Sequence, residues 1–382
     1  MKILQVISMG YVCGGAERSV LLLRDALTKR GHQVKIMASD RDPEQPHYTD
    51  YECRHIQGGP LKHLWSMSAY KTLKKAIAEF QPDIVHFHTM GELSPSVLFA
   101  LGKTPALLTV HGPEEYTLTM LEWYLAPASF NGPVSLGNLT LAGRLHYAFF
   151  RYFQRPLYKM GFRHLSGIIS PSRYLANQLA REEYDVPIQH IYNGIVLPEQ
   201  QPLPSEPVIL YVGRLEHVKG VDVLLRALPA VVAANPATRL RIVGDGPDCT
   251  RLEALAAELG VQHSVTFVGW QKDVVAEYAK ARLFVIPSVW PENLPTVALE
   301  ALAVGRPIVG TAVGGIPELV EDGVSGRVVS PGDSDALAQA ITSLLADKQL
   351  QTKADVAHSG AKRFTIDEFV TRLESVYAGF IK

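Results

Sequence analysis

Cysteine is scarce: Cys13, Cys53 and Cys249 are the only three in 382 residues, and no two of them form a C-x-x-C pair. That excludes a disulfide framework, gives no zinc-ligand spacing and fits a reducing cytoplasm. Long apolar runs are missing too, since nothing approaches the roughly 20 residues that span a bilayer. The opening Met1-Lys2-Ile3-Leu4-Gln5-Val6-Ile7-Ser8 is interrupted by Gln5 and followed at once by a Gly-rich turn. It reads as a first strand, because a secretory signal needs a longer apolar stretch. No block of one charge occurs. Basic residues outnumber acidic ones 20 to 16 up to Val196 and fall short 17 to 22 beyond it, for a net charge of −1. So mild a tilt excludes a nucleic-acid binder, although it suits an N-terminal half facing an anionic acceptor or membrane surface.

What is present is ample apolar surface, 47% of residues, on a chain long enough for two domains. In the second half, Val208–Val212, Leu240–Val243, Val265–Val268, Leu283–Ile286, Pro307–Val309 and Arg327–Val329 read as strands separated by amphipathic stretches such as Val221–Ala234. The first half repeats the scheme with strands at Ile3–Ile7, Val34–Ala38, Ile84–Phe87, Ala106–Val110 and Gly167–Ile169, and helices at Ala16–Arg30, Leu64–Phe80 and Ser94–Leu101. Alternating strands and helices predict α/β architecture with parallel sheets covered on both faces. The proline-rich stretch from Asn193 to Pro207 marks the hinge. It divides the chain into residues 1–195, residues 196–362 and a closing helix over 363–382 that packs back towards the first domain.

One region departs from the repeat. From Gly112 to His164 there is no strand and helix alternation, and no acid occurs between Glu122 and Glu182, while Arg144, Arg151, Arg155, Lys159 and Arg163 alternate with aromatic residues. A long helix with one packed and one solvated side explains this, and so does an acceptor or membrane-surface patch over residues 144–163.

The densest chemistry lies in Pro291-Glu292-Asn293-Leu294-Pro295-Thr296-Val297-Ala298-Leu299-Glu300. Pro295 suits a first helical turn, which sets Glu292 and Glu300 around a helix N-terminus at the carboxyl edge of a parallel strand. Phosphates bind at such places through free amides and the helix dipole, and sugar or ribose hydroxyls are good partners for the flanking carboxylates. Gly213-Arg214-Leu215-Glu216-His217-Val218-Lys219-Gly220 follows strand Val208–Val212 and carries cations able to counter charge on a departing diphosphate. Gly14-Gly15-Ala16-Glu17 follows the first strand, lets backbone approach a ligand, and lacks the G-x-G-x-x-G spacing of a dinucleotide site. His111 closes a strand in Thr109-Val110-His111-Gly112 and points to the ligand edge of its sheet. His86 and His88 share a strand face with no carboxylate nearby and read as structural. The D-x-D matches at Asp40–Asp42 and Asp333–Asp335 read as a polar loop and a helix cap. No metal site is expected.

Together these residues resemble the retaining GT-B glycosyltransferases of family 4. The resemblance runs from Gly14-Gly15 through Val110-His111-Gly112, Ser170-Pro171-Ser172, Tyr192-Asn193-Gly194, Gly213-Arg214, Lys219-Gly220 and Val243-Gly244-Asp245-Gly246-Pro247 to the Glu292/Glu300 pair. It implies two Rossmann-like, doubly wound domains facing across a cleft, the first binding an acceptor and the second a nucleotide sugar. It implies that Arg214 and Lys219 bind the donor diphosphate, Glu300 the ribose, and Glu292 with the amides of Asn293, Leu294 and Pro295 the transferred sugar. Gly14, Gly15 and Gly213 would approach the donor, His111 would sit by the reacting sugar, and Asp245, Gly246 and Trp270 would surround the base. The activity implied is retaining transfer from a nucleotide sugar to a hydroxyl, with no metal and no cofactor; the sparse cysteines point to the cytoplasm, and the basic-aromatic stretch to a position at the inner membrane face. Many relatives carry Gly-x-Gly after the first acid where this chain has Asn293-Leu294-Pro295, which leaves the donor open, with a UDP-sugar first and GDP-mannose second. A GT-B nucleotide-sugar 2-epimerase and a non-catalytic sugar-nucleotide-binding subunit are the competing classes.

Overall fold

The computed structural model describes residues 1–111, 137 and 139–381; Gly112 and most of the segment up to Leu139 lie outside the described residues. The chain divides into two compact units, Met1–Gly194 with Ile366–Lys382, and Ile195–Thr365.

In the first unit, β1 (Lys2–Met9) is buried along six consecutive positions, the mark of a strand covered on both faces. It centres a seven-stranded sheet with β2 (Gln33–Ser39), β3 (Tyr51–Cys53), β4 (Ile84–Phe87), β5 (Ala106–Thr109), β6 (Gly167–Ser170) and β7 (Ile188–His190), in the order β3-β2-β1-β4-β5-β6-β7. Every adjacent pair is parallel. The three-residue edge strands β3 and β7 were not among those read from the sequence. They are too short to print a period, and short edges limit unwanted pairing.

The second unit carries β8 (Val208–Val212), β9 (Arg239–Val243), β10 (Val265–Gly269), β11 (Leu283–Ile286), β12 (Ile308–Thr311) and β13 (Gly326–Val329), in the order β10-β9-β8-β11-β12-β13. Its pairs are likewise parallel. Each sheet thus reverses its strand order next to its first strand, at β1/β4 and at β8/β11. Loops leaving the carboxyl ends of those strands splay apart there and leave room for a ligand.

Helix boundaries moved where a cap intervened. The helix expected over Leu64–Phe80 runs from Met67 to Phe80, because the Ser66 side chain accepts from Ala69 N and fixes the start there. The expected helix Ser94–Leu101 is a 3-10 run over Pro95–Ala100. The basic-aromatic stretch is helical over Leu141–Phe149 and Arg155–Phe162, joined by a π-turn at Phe150–Gln154. Pro156 explains the break, since it donates no hydrogen bond and its ring crowds the preceding turn.

The closing helix, Ile366–Phe380, belongs to the first unit. Its Phe369, Val370, Leu373 and Tyr377 are buried against Ile3, Leu23, Leu27, Ile84, Leu107 and Ile169. Arg30 donates to Glu374 at 2.7 Å and to the Asp367 carbonyl at 2.9 Å, fastening the helix to the one over Gly15–Lys29. Because Leu373 is fully buried, Leu373→Ala should cost about 2 to 5 kcal/mol of unfolding free energy, measured as a lower urea midpoint. A loss below about 0.5 kcal/mol, the range of surface changes, would show that the helix is dispensable.

Candidate functional site

The second unit assembles its ligand edge from backbone. After β8, Gly213 N donates to Val243 O at 3.0 Å and Leu215 N to Asp245 O at 2.9 Å, joining the loops that follow β8 and β9. Glycine makes this approach possible, since a Cβ on Gly244 (φ +135°) would lie 1.9 Å from Gly213 O. A second join spans the strand-order reversal. Val289 N and Trp290 N both donate to Val218 O, at 3.0 and 3.1 Å. A Cβ on Gly220 (φ +66°) would lie 2.0 Å from Pro287 O.

These joins deliver Lys219 to Glu292. Lys219 Nζ donates to Glu292 Oε1 at 2.7 Å, and Ser288 Oγ donates to the same oxygen at 2.8 Å. From the other side, Gly315 N donates to the Glu292 carbonyl at 2.7 Å, beside Gly314 in left-handed conformation. Arg214 is paired with Glu216 at 2.6 Å and its side chain is largely exposed. Of the two cations singled out in this loop, Lys219 meets Glu292 and Arg214 does not.

The helix Thr296–Ala303 begins directly after Glu292-Asn293-Leu294-Pro295. Pro295 precedes the helix instead of lying in its first turn as expected, because its ψ of 112° is extended while its carbonyl already accepts from Ala298 N. Among the described residues no side chain caps this helix, and its positive end suits an anion. One turn further on, Glu300 Oε2 accepts from the hydroxyl of buried Tyr278 at 2.9 Å. Leu294 is buried and Asn293 half-buried. Asp245 is exposed, its carboxylate accepting from Gly246 N at 2.7 Å, and Trp270, just beyond β10, is two-thirds exposed. Sequence reasoning missed Ser288, Tyr278 and Gly314. The pair Gly314-Gly315 after β12 was the one legible signal, since Ser288 and Tyr278 act through contacts that only the fold creates.

In the first unit, Gly14 precedes the helix opened by Gly15, again without a side-chain cap. Glu17 in that first turn is buried, and burial pushes its carboxyl up from the usual range. His111 follows β5 and its Nε2 lies 3.1 Å from His88 Nδ1. Dense surroundings push the His111 imidazole down to about 4 and that of fully buried His86 down to about 3, so both are neutral at pH 7. Asp42 accepts from the Tyr11 hydroxyl, Asp40 from His55, and Asp333 from Ala336 N at the start of a helix.

The stretch 144–163 is divided in its loyalties. Arg155 pairs with Glu182 at 2.7 Å, and Arg144 donates to the carbonyls of Gly137 and Leu139. Leu141, Leu145, Tyr152, Phe153 and Met160 are each more than half exposed, at helical spacings of four and seven. Among the described residues, no helix is long and apolar enough to cross a membrane.

Two families match the chain: Glycosyltransferase Family 4 over residues 13–198 and Glycosyl transferases group 1 over residues 197–362. An exopolysaccharide phosphotransferase of Streptomyces coelicolor is 36% identical over 170 residues, 44% of this chain and 18% of that protein. A GDP-mannose-dependent alpha-(1-6)-phosphatidylinositol monomannoside mannosyltransferase of Mycolicibacterium smegmatis is 38% identical over 167 residues, 42% of this chain and 44% of that one. These matches span less than half the length of the curated relatives. Among solved structures, Anabaena HepE in complex with UDP and glucose shares the fold with a TM-score of 0.73 at 23% identity, covering 99% of this chain and all of that one.

The Gly220 join yields a direct check. Gly220→Ala places a Cβ on the Pro287 carbonyl at a positive φ, and should cost more than about 1 kcal/mol in urea unfolding. An unchanged midpoint would mean that the loop after β8 is not held against β11.

Proposed function

The chain belongs to the family 4 glycosyltransferases of GT-B fold, and on that premise we propose that it moves a sugar from a nucleoside diphosphate sugar to a hydroxyl acceptor with retention of anomeric configuration. The observation that carries the reading is the meeting of Lys219 with Glu292, 2.7 Å apart at the β8/β11 reversal and beside an uncapped helix start.

Each part has a task that its chemistry suits. The Lys219 ammonium has three N–H groups, of which one reaches Glu292, so others remain for a phosphate oxygen. Arg214, exposed on the same loop, adds a second cation when a diphosphate arrives. The Glu292 carboxylate accepts hydroxyls of the transferring sugar while Ser288 holds it in place, and Glu300, steadied by Tyr278, accepts ribose hydroxyls. As the bond from sugar C1 to the phosphate oxygen breaks, its electron pair passes to the diphosphate. The growing negative charge is met by Lys219, Arg214 and the helix amides. The acceptor oxygen bonds to C1 from the face the diphosphate leaves, and its proton passes to a phosphate oxygen. Side-chain cations and amides fill the role a metal plays in other transferases, which supports a metal-independent reaction without a cofactor. Asp245, Gly246 and Trp270 follow β9 and β10, where a base would extend from the diphosphate. UDP-sugar and GDP-mannose both remain candidates, the second because a relative's name states GDP-mannose dependence.

The exposed apolar row from Leu141 to Met160, flanked by Arg151, Lys159 and Arg163, further supports contact with an anionic membrane surface at the cytoplasmic face. An acceptor anchored in that surface would be presented to the first unit.

Lys219→Ala should slow sugar transfer by at least about 100-fold with an unchanged urea midpoint. The assay uses whichever of UDP-sugar or GDP-mannose raises the melting temperature most, and product analysis separates transfer from 2-epimer formation. Transfer at the wild-type rate would remove the assignment. For the membrane contact, the protein should sediment with phosphatidylglycerol vesicles and not with phosphatidylcholine vesicles, and Leu145→Glu with Phe153→Glu should abolish this. Binding to both vesicle types alike, or by the double variant, would refute it.

A further inference from the structure

Strands β11 and β12 pair as far as Ile286 and Gly310, where their ladder stops. Beyond it, Ala312 N donates to Val329 O at 2.8 Å, towards β13. The Ser288 carbonyl, two residues past the end of β11, is met by a side chain instead: the Thr311 hydroxyl donates to it at 2.6 Å. Ser288 and Thr311 are each 1% exposed, so this rung lies where an unmade hydrogen bond is costly. On the other flank of β11, Val289 N and Trp290 N donate to Val218 O in the loop after β8. The backbone at Ser288 is therefore pinned from both neighbouring strands, and its side chain inherits that fixed base.

That side chain reaches the acid of the candidate site. Ser288 Oγ donates to Glu292 Oε1 at 2.8 Å, and Lys219 Nζ donates to the same oxygen at 2.7 Å. An ionised carboxylate has two oxygens and about four lone-pair sites. Both donors fall on Oε1, and among the described residues no hydrogen bond reaches Oε2. The two donors also differ in kind. Lys219 is a cation on a flexible stem with further N–H groups to give, whereas the Ser288 hydroxyl has one hydrogen and stands on a backbone that Thr311 holds.

We propose that Thr311 is a positioning residue for sugar transfer: by fixing the Ser288 carbonyl it aims the Ser288 hydroxyl at Glu292 Oε1, so that the carboxylate meets the transferring sugar through Oε2 alone. The proposal rests on the reading that Glu292 accepts hydroxyls of that sugar, and adds which oxygen does so and what holds the other. When Lys219 turns to a phosphate oxygen of the donor, Ser288 stays on Oε1 and keeps the carboxylate from rotating as the sugar leaves the diphosphate.

The test is steady-state kinetics on the full chain, with whichever of UDP-glucose, UDP-N-acetylglucosamine and GDP-mannose raises the melting temperature most. Turnover is read as release of the nucleoside diphosphate, which needs no identified acceptor. Thr311→Val keeps the shape and loses the hydroxyl, and should lower kcat roughly 10-fold, with KM for the nucleotide sugar changed by less than about twofold. Thr311→Ser, which keeps the hydroxyl, should restore the rate. In a Ser288→Ala background Thr311→Val should bring no further loss, because the two act through one hydrogen-bonded path. Turnover by Thr311→Val at the wild-type rate would overturn the proposal, as would a Thr311→Ser variant as slow as Thr311→Val, or losses that multiply in the double variant. Should Thr311→Val fail to fold, Ser288→Ala decides, and an unchanged kcat there refutes the role. Full-rate turnover by Glu292→Ala would instead overturn the reading that Glu292 touches the sugar, and the positioning role with it. A slow Glu292→Ala beside a full-rate Thr311→Val removes the positioning role alone.

Discussion

Close approach of backbone to backbone across the β8/β11 reversal is the constraint on which the second unit's chemistry depends. Lys219 and Glu292 are 73 residues apart in sequence, and neither side chain could find the other without the loops beneath them being joined. Val289 and Trp290 donate to one carbonyl, and Gly220 supplies a left-handed turn where any Cβ would strike Pro287 O. The ion pair therefore follows from the fold and does not build it. A largely buried pair of this kind adds little net stability, because the cost of desolvating both charges offsets their attraction, so its consequence is to hold a cation and an anion side by side at that sheet edge.

The first unit handles polarity in the opposite way. Its ligand edge is approached through neutral groups packed where charge is disfavoured, and the histidines gain their order from hydrogen bonds instead of ion pairing. Gln5, opposite His86 in the neighbouring strand, is buried with both amide atoms unpartnered among the described residues. A polar seam thus runs through an otherwise apolar face of the sheet. Such a seam costs stability unless satisfied.

Strands with β-branched runs and helices with clear apolar periodicity were legible, because burial on both faces of a parallel sheet writes itself into composition. Three-residue edges such as Tyr51–Cys53 were not, and neither were helix starts fixed by a single side-chain cap, as at Ser66. The acidic pair and the Gly-bounded cationic loop were readable as a candidate site, but the unequal placement of Arg214 and Lys219 was hidden. That difference is set by Glu216, a local neighbour of Arg214, and by Ser288 and Gly314, which reach Glu292 only through strand order. Periodicity reports which face a residue occupies, whereas partners across a sheet edge depend on topology.

The helix Ile366–Phe380 joins the polar seam to a distant part of the sequence. Tyr377 lies 291 residues beyond His86, yet its hydroxyl holds one of the two ring nitrogens of that histidine. The helix bearing it is fastened by apolar burial and by the Arg30 ion pair with Glu374. The first unit's candidate site therefore inherits its geometry from a segment that returns only after the whole second unit has been traversed. A sheet that borrows its covering helix from the far end of the chain forms its last polar contacts late, because the closing loop is long and its entropy must be overcome first. Order at His86, and through His88 at His111, is thus coupled to the return of the helix Ile366–Phe380 and not to residues 1–194 alone.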